Sequence, residues 1–410
     1  MIIKKKISDA VLLMQNLAEF ETISLGIWVK CGSIFENNKL NGISHFIEHM
    51  VFKGTGNRSA RDIAEELDLI GGQVNAFSAK EYTCFYGRVT TRNLEQAVDI
   101  LFDIVLNPAF KEEDFVKEKN VILEEIKMYE DTPDEIIHDL LPLHIFHDSS
   151  LKLPILGSPD SLSGITLADL ENYYRKNYVS SNMIISVCGK INCDQIESLI
   201  RPRIEAAAGK IRKRTPGKGG GSFCNGAWHK EKNIEQCHLL IGFPGISQLD
   251  RRLYSLNLLN NVLDGSMSSR IFQKIREDMG QAYSTYSYLL NYMNQGLYAI
   301  YAACDPKNIP AVTESIWNEI NKLKKEGITD RELQISKNQY ISSLYLSMES
   351  TYNRMLRMAK YEFYYSRNIP LSEVVSRIEE IDRDDLLKAA DDILSEEKSF
   401  MVTVGAKSGG

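Results

Sequence analysis

The sequence predicts an α+β fold built twice: two similar α/β sandwich domains, each an antiparallel sheet with helices packed on it, joined by a linker. Three observations predict it. The chain has 410 residues, more than one hydrophobic core usually organises, so two domains are expected. One segment, KIRKRTPGKGGGSFCNG (210–226), mixes basic residues, Pro216 and a glycine triplet, and holds no regular element. It separates an N-terminal half, 1–209, from a C-terminal half, 227–410, and those halves read as copies of one another.

The elements follow in order. The opening MIIKKKISDAVLLMQNLAEF has an apolar run broken by Gln15 and Asn16, too short for a membrane span and without a small-residue cleavage site. The strand-like TISLGIWVKCG precedes a helix carrying SHFIEHMVFKG. In the second half CHLLIGFPG precedes SLNLLNNVLDG. Aligning Gly54 with Gly265 sets Leu256, Leu259 and Asn260 where the first half has His45, Glu48 and His49. Further on, EKNVILEE (118–125) matches SKNQYISS (336–343). Both halves alternate β-type runs with amphipathic helices. The second copy keeps the scaffold and lacks the polar trio.

Composition narrows the function classes. Hydrophobic residues make up 43% and charged residues 25%, as in an ordinary globular protein. A net charge of −7 argues against a nucleic-acid binder and does not exclude basic peptide ligands, which an acidic chamber would attract. Seven scattered cysteines with no CxxC pair fit reduced thiols rather than a disulfide framework. The expectation is a cytoplasmic protein with no membrane segment.

The stretch NGISHFIEHMVFKG (41–54) carries the chemistry. On a helical wheel His45, Glu48, His49 and Phe52 share one arc, while Phe46, Ile47, Met50 and Val51 cover the other side. Two histidines at i and i+4 aim at a common point, and Glu48 lies one turn from His45. That is the spacing of a metal pair with a general base. A core helix with two satisfied histidines is the bland alternative. Two histidines and a glutamate on one arc weigh against it, because burying an unpartnered carboxylate costs several kcal/mol, although the motif is not decisive alone.

A catalytic zinc takes three protein ligands and leaves one position open. His138, His144 and His147 are expected in a loop region, and His229 and His238 lie beyond the linker. The helix EEDFVKEKNVILEEIKMYE offers better donors. Phe115, Val121, Ile122, Ile126, Met128 and Tyr129 span its apolar arc, with Glu118 and Glu125 in the middle of it. Glu112, Glu113, Glu124 and Glu130 fall on the solvent side with Lys117 and Lys127. Only Glu118 and Glu125 look inward, and inward glutamates need a cation.

HxxEH is the inverzincin motif. With a glutamate 76 residues beyond its second histidine, the chain resembles the pitrilysin, insulinase and mitochondrial processing peptidase family over nearly its whole length. The resemblance implies that His45, His49 and Glu125 ligate one Zn²⁺ per chain, with Glu48 as general base and Glu118 as an accessory carboxylate behind the ligands. It also implies two similar domains facing each other across a chamber. GGQVNAFSAKEYTCFYGRV (71–89) resembles the family's active-site strand, where Asn75, Ala76 and Phe77 would line the site and pair with an extended peptide. IREDMGQAYSTYSY resembles its substrate-clamping segment, with Arg276 and Tyr283 as donors to a substrate carbonyl. The glycine-rich loop of some non-catalytic processing subunits is absent, LNNVLDGSMSSRIF standing in its place.

The expected function is a zinc endopeptidase acting on unfolded or short peptides. Two rivals are a non-catalytic scaffold subunit, which the intact trio opposes, and one member of a heterodimer. Both residue sets occur in this chain, which favours a homodimer.

Overall fold

The chain opens on a hairpin: β1 (Ile2–Ile7) pairs antiparallel with β2 (Ala10–Asn16). β3 (Thr22–Val29), β4 (Gln73–Ser78), β5 (Thr83–Thr90) and β6 (Met183–Gly189) complete a six-stranded sheet in the order β1-β2-β6-β3-β5-β4. A second sheet, β7 (Gly226–Glu231), β8 (Cys237–Gly245), β9 (Ala282–Asn291), β10 (Gly296–Cys304) and β11 (Phe400–Gly405), runs β7-β11-β8-β10-β9. These strands belong to a computed structural model that describes residues 1–207, 209 and 222–406. The expected linker, 210–226, lies outside them up to residue 221.

The sheets are antiparallel with one exception each, since β2–β6 and β7–β11 pair parallel. β6 and β11 return to their sheets after long helical excursions, and a long crossover permits either direction where a tight turn does not. The segment 71–89 is likewise a hairpin of two strands, β4 and β5, rather than one strand. β3 and β6 are buried along almost their whole length, so this sheet is covered on both faces.

On one face Ile23, Leu25, Ile27, Val29, Phe85, Ile185 and Val187 meet the helices of the first half. On the other, Leu13, Trp28, Cys84, Ile184 and Cys188 meet Met355, Met358 and Ala359 of the helix Thr351–Tyr365. That helix comes from the second half of the sequence. The two units are therefore 1–127, 153–217 and 347–368 for the first, and 128–152, 218–346 and 369–410 for the second. They do not coincide with 1–209 and 227–410. The helix Pro133–Ile145 packs on the second sheet, against β8 and β11, as Thr351–Tyr365 packs on the first, against β3 and β6. Each sheet accommodates its guest at a glycine. A Cβ on Gly26 would lie 2.5 Å from the Met355 sulfur, and one on Gly242 2.6 Å from a Leu141 methyl.

His138 and His144 sit on the helix Pro133–Ile145, not in a loop. Pro133 occupies the first turn, where it costs nothing, and the helix continues past Pro142. His138 bridges the Tyr286 and Tyr288 hydroxyls at 2.7 Å each. All seven cysteines are free, five of them buried. Among the described residues no helix is long and apolar enough to cross a membrane.

Candidate metal centre

The centre lies wholly within the first unit. Its first support is the helix Ile43–Val51, nine residues long, too short to be stable without tertiary help. Two contacts supply that help. Phe46 stacks on Phe115 of the helix Glu112–Asp131, with ring centroids 4.8 Å apart and planes 15° apart. Glu36, itself buried, reaches the helix start and accepts from Gly42 N at 2.8 Å, Ser44 N at 2.9 Å and Asn41 Nδ2 at 3.1 Å. The carboxylate thereby satisfies orphan amides at a helix N-terminus, where negative charge is favoured.

The two helices bring His45, His49 and Glu125 together, with donor atoms all within 4.8 Å of one another. His45 Nε2 stands 3.9 Å from Glu125 Oε1, and His49 Nε2 stands 3.5 Å from Glu125 Oε2. Ligands that each approach a zinc ion at about 2.0–2.2 Å are separated by distances of this order. Burial, with His49 beside it, holds the His45 imidazole well below its usual protonation range, so it is the neutral, ligating form. Burial opposes charge on His49, but its bonds to Glu125 and Glu118 outweigh that and raise its proton affinity. Glu125 is held low by the His49 bond against its own desolvation. Among the described residues, three carboxylates, Glu48, Glu118 and Glu125, share this space, and Lys53 pairs with Glu118. The donor set and the surplus of negative charge fit a divalent cation.

Glu118 stands behind the ligands, its Oε2 3.2 Å from His49 Nδ1 and its Oε1 2.8 Å from Lys53 Nζ. Glu48 is half-buried, and Ser78 at the end of β4 donates to its Oε2 at 2.6 Å. Burial raises the proton affinity of Glu48, with the Ser78 bond acting against it.

Along the helix Glu112–Asp131, Glu118 is buried and Glu125 half-buried, while Glu112, Glu113, Glu124 and Glu130 are exposed. Val121 and Met128, expected on the apolar arc, are 49% and 66% exposed. The ridge that meets the core is Phe115, Glu118, Ile122 and Ile126; Val121 and Met128 fall on the neighbouring strip, which the core does not cover.

β4 is an edge strand of its sheet. Asn75 is exposed, and its Oδ1 accepts from the Ala76 N–H at 2.8 Å. Val74 and Ala76 face the helices, as Ser78 does; Phe77 turns to the opposite face, against Trp28 and Tyr82. In the second unit Arg276 is exposed in a π-helical turn, Phe272–Asp278, with its guanidinium 4.9 Å from the Phe272 ring centre. Tyr283, at the start of β9, is 80% exposed. Sequence reasoning missed Glu36, Lys53 and Ser78. Only Lys53 had a local signal, lying four residues after His49.

An HxxEH helix and a glutamate helix converging on a metal-sized space, within an α+β unit present in two copies, define a metallopeptidase-type protein. The chain belongs to peptidase family M16: residues 11–159 match the model described as insulinase (peptidase family M16), and residues 164–340 that described as the peptidase M16 inactive domain. It is 41% identical to an uncharacterized zinc protease, YmxG, of Bacillus subtilis, over 90% of this chain and 89% of that one. A second uncharacterized zinc protease, from Streptomyces coelicolor, is 33% identical over 95% of this chain and 86% of its own. The crystal structure of a protease from Helicobacter pylori shares the fold, with a TM-score of 0.92 at 19% identity and 99% coverage of both chains.

Proposed function

We propose that this chain is a zinc-dependent endopeptidase that hydrolyses peptide bonds in unfolded or short peptides, working as a homodimer that encloses them in a chamber. The observation that carries the reading is the meeting of His45, His49 and Glu125 within 4.8 Å, with Glu48 on the same helix held by Ser78. Zinc bound by those three residues would polarise the scissile carbonyl and acidify a water molecule. Glu48 accepts the proton from that water and returns it to the leaving amine. Its raised proton affinity suits a group that must carry a proton between two steps. Ser78 fixes one oxygen of the carboxylate.

An extended peptide pairs with the free edge of β4, its backbone taking the place of the Asn75 side chain at the Ala76 N–H. Arg276 and Tyr283 are the donors that hold the substrate carbonyl and its developing oxyanion. The homodimer and its chamber rest on the family resemblance and on both residue sets occurring in one chain.

The test compares wild type with Glu48→Gln for zinc content and for cleavage of a fluorogenic peptide library. Both proteins should hold one zinc, and the variant should turn over roughly 10²–10⁴ times more slowly. Cleavage by wild type that survives full removal of metal would refute the reading.

A further inference from the structure

Glu118 is 5% exposed, and both its oxygens are committed. Oε2 meets His49 Nδ1 at 3.2 Å, and Oε1 meets Lys53 Nζ at 2.8 Å. An ionised carboxylate only accepts, so Glu118 keeps a hydrogen on His49 Nδ1, and the tautomer with its lone pair on Nε2, which faces Glu125, is the one left when a metal takes the place of a proton there. Metal ligation through Nε2 requires that tautomer. Glu118 enforces it only if its own carboxylate plane is held, and a glutamate turns about three bonds. Lys53 provides the second anchor. It reaches the position because the backbone continues one turn beyond the helix, through Phe52 N to His49 O at 3.3 Å and Lys53 N to Met50 O at 3.1 Å.

The second half of the chain serves as an internal control. In the alignments through Gly54 with Gly265 and 118–125 with 336–343, His45, Glu48, His49, Lys53, Glu118 and Glu125 face Leu256, Leu259, Asn260, Asp264, Ser336 and Ser343. Lys119 and Asn120, by contrast, reappear as Lys337 and Asn338. A lysine kept for solubility or for ending the helix has no reason to vanish with the metal ligands. The replacements have other duties: Asp264 accepts from Thr285 at 3.2 Å, and Ser336 donates to the Leu258 carbonyl at 2.8 Å. The lysine belongs to the site.

We propose that Lys53 is a positioning residue of the metal centre: its ammonium fixes the Glu118 carboxylate, which fixes the His49 ring in the orientation that presents Nε2 to the metal. The proposal rests on the zinc-peptidase reading, so its test begins with metal rather than turnover. Zinc affinity of the full chain is measured by competition with a chromogenic chelator for wild type, Lys53→Met, Lys53→Arg, Glu118→Gln and the Lys53→Met/Glu118→Gln double variant. Thermal unfolding of each metal-free protein is followed alongside. Lys53→Met keeps the aliphatic stem and should bind zinc roughly 10- to 100-fold more weakly, the usual cost of losing an outer partner of a ligand. Lys53→Arg should restore most of that affinity, and the double variant should be no weaker than Glu118→Gln alone. Should Lys53→Met fail to fold, Lys53→Gln removes the charge and carries the same comparison. Wild-type affinity in the uncharged variant, or losses that multiply in the double variant, would overturn the role of Lys53 and leave the zinc site standing. A wild-type chain that binds no zinc would overturn both.

Discussion

Replacing Glu36 by alanine tests the least visible support of the metal centre. The carboxylate accepts from Gly42 N and Ser44 N at 2.8 and 2.9 Å, and both residues are buried, away from bulk water. Asn41 Nδ2 is less affected, because it keeps the Pro154 carbonyl at 2.8 Å. Two orphaned buried amides cost about 1–3 kcal/mol each. Against that stands relief from keeping a carboxyl in the interior, whose burden is visible in the upward push of burial on its proton affinity. A net loss of about 2–4 kcal/mol remains. For a unit of about 200 residues, each kcal/mol lowers the melting temperature by about 2–4 °C, giving roughly 5–15 °C in all. Because Ser44 adjoins His45, zinc affinity should fall as well. Glu36→Gln should lie between the two proteins, its amide oxygen serving one donor while its NH₂ confronts another. The assay is thermal unfolding of the metal-free chain, followed by metal competition. A loss below about 1 kcal/mol, or unchanged zinc affinity, would show that the motif helix is held without Glu36.

Three further outcomes are expected. Glu125→Gln should release zinc while Glu124→Gln retains it, because only Glu125 faces the histidines and Glu124 is exposed; equal metal content in the two would sink the ligand assignment. Tyr283→Phe should keep its zinc but lose kcat/KM toward peptides, and unchanged kinetics would remove the hydroxyl from the mechanism. Burial pushes the Asp264 carboxyl up to about 8, with the Thr285 bond opposing it. A folded-state value above the unfolded one means stability that is present at acid pH and lost as pH rises, here between about 4 and 8. Asp264→Asn should abolish that slope and be the more stable protein at pH 8, by less than about 6 kcal/mol; parallel pH profiles for the two would refute the assignment.

The site was legible where chemistry leaves a local spacing, and hidden where it relies on contacts distant in sequence. His45, Glu48 and His49 declare themselves because one helical turn separates partners on a single face. Glu118 and Glu125 declare themselves because a charge on an apolar arc demands a reason. Ser78 and Glu36 carry no such mark. A serine ending a strand and a glutamate in a loop are ordinary residues until the fold carries one to Glu48 and the other to the start of the motif helix. The fold divides in the same way. Its duplication could be read from internal alignment, because copies preserve pattern. The exchange of the helices Pro133–Ile145 and Thr351–Tyr365 could not, since an amphipathic helix announces that it will cover a sheet without saying which. Gly26 and Gly242 lie in the middle of strands, and each marks a close approach by a side chain from a distant helix. Each sheet is covered on one face by a helix from the other half of the sequence, so the helix that follows the metal-binding glutamate belongs with the second sheet. The glutamate helix is thus the continuous element through which the first unit's metal centre joins the chain of the second.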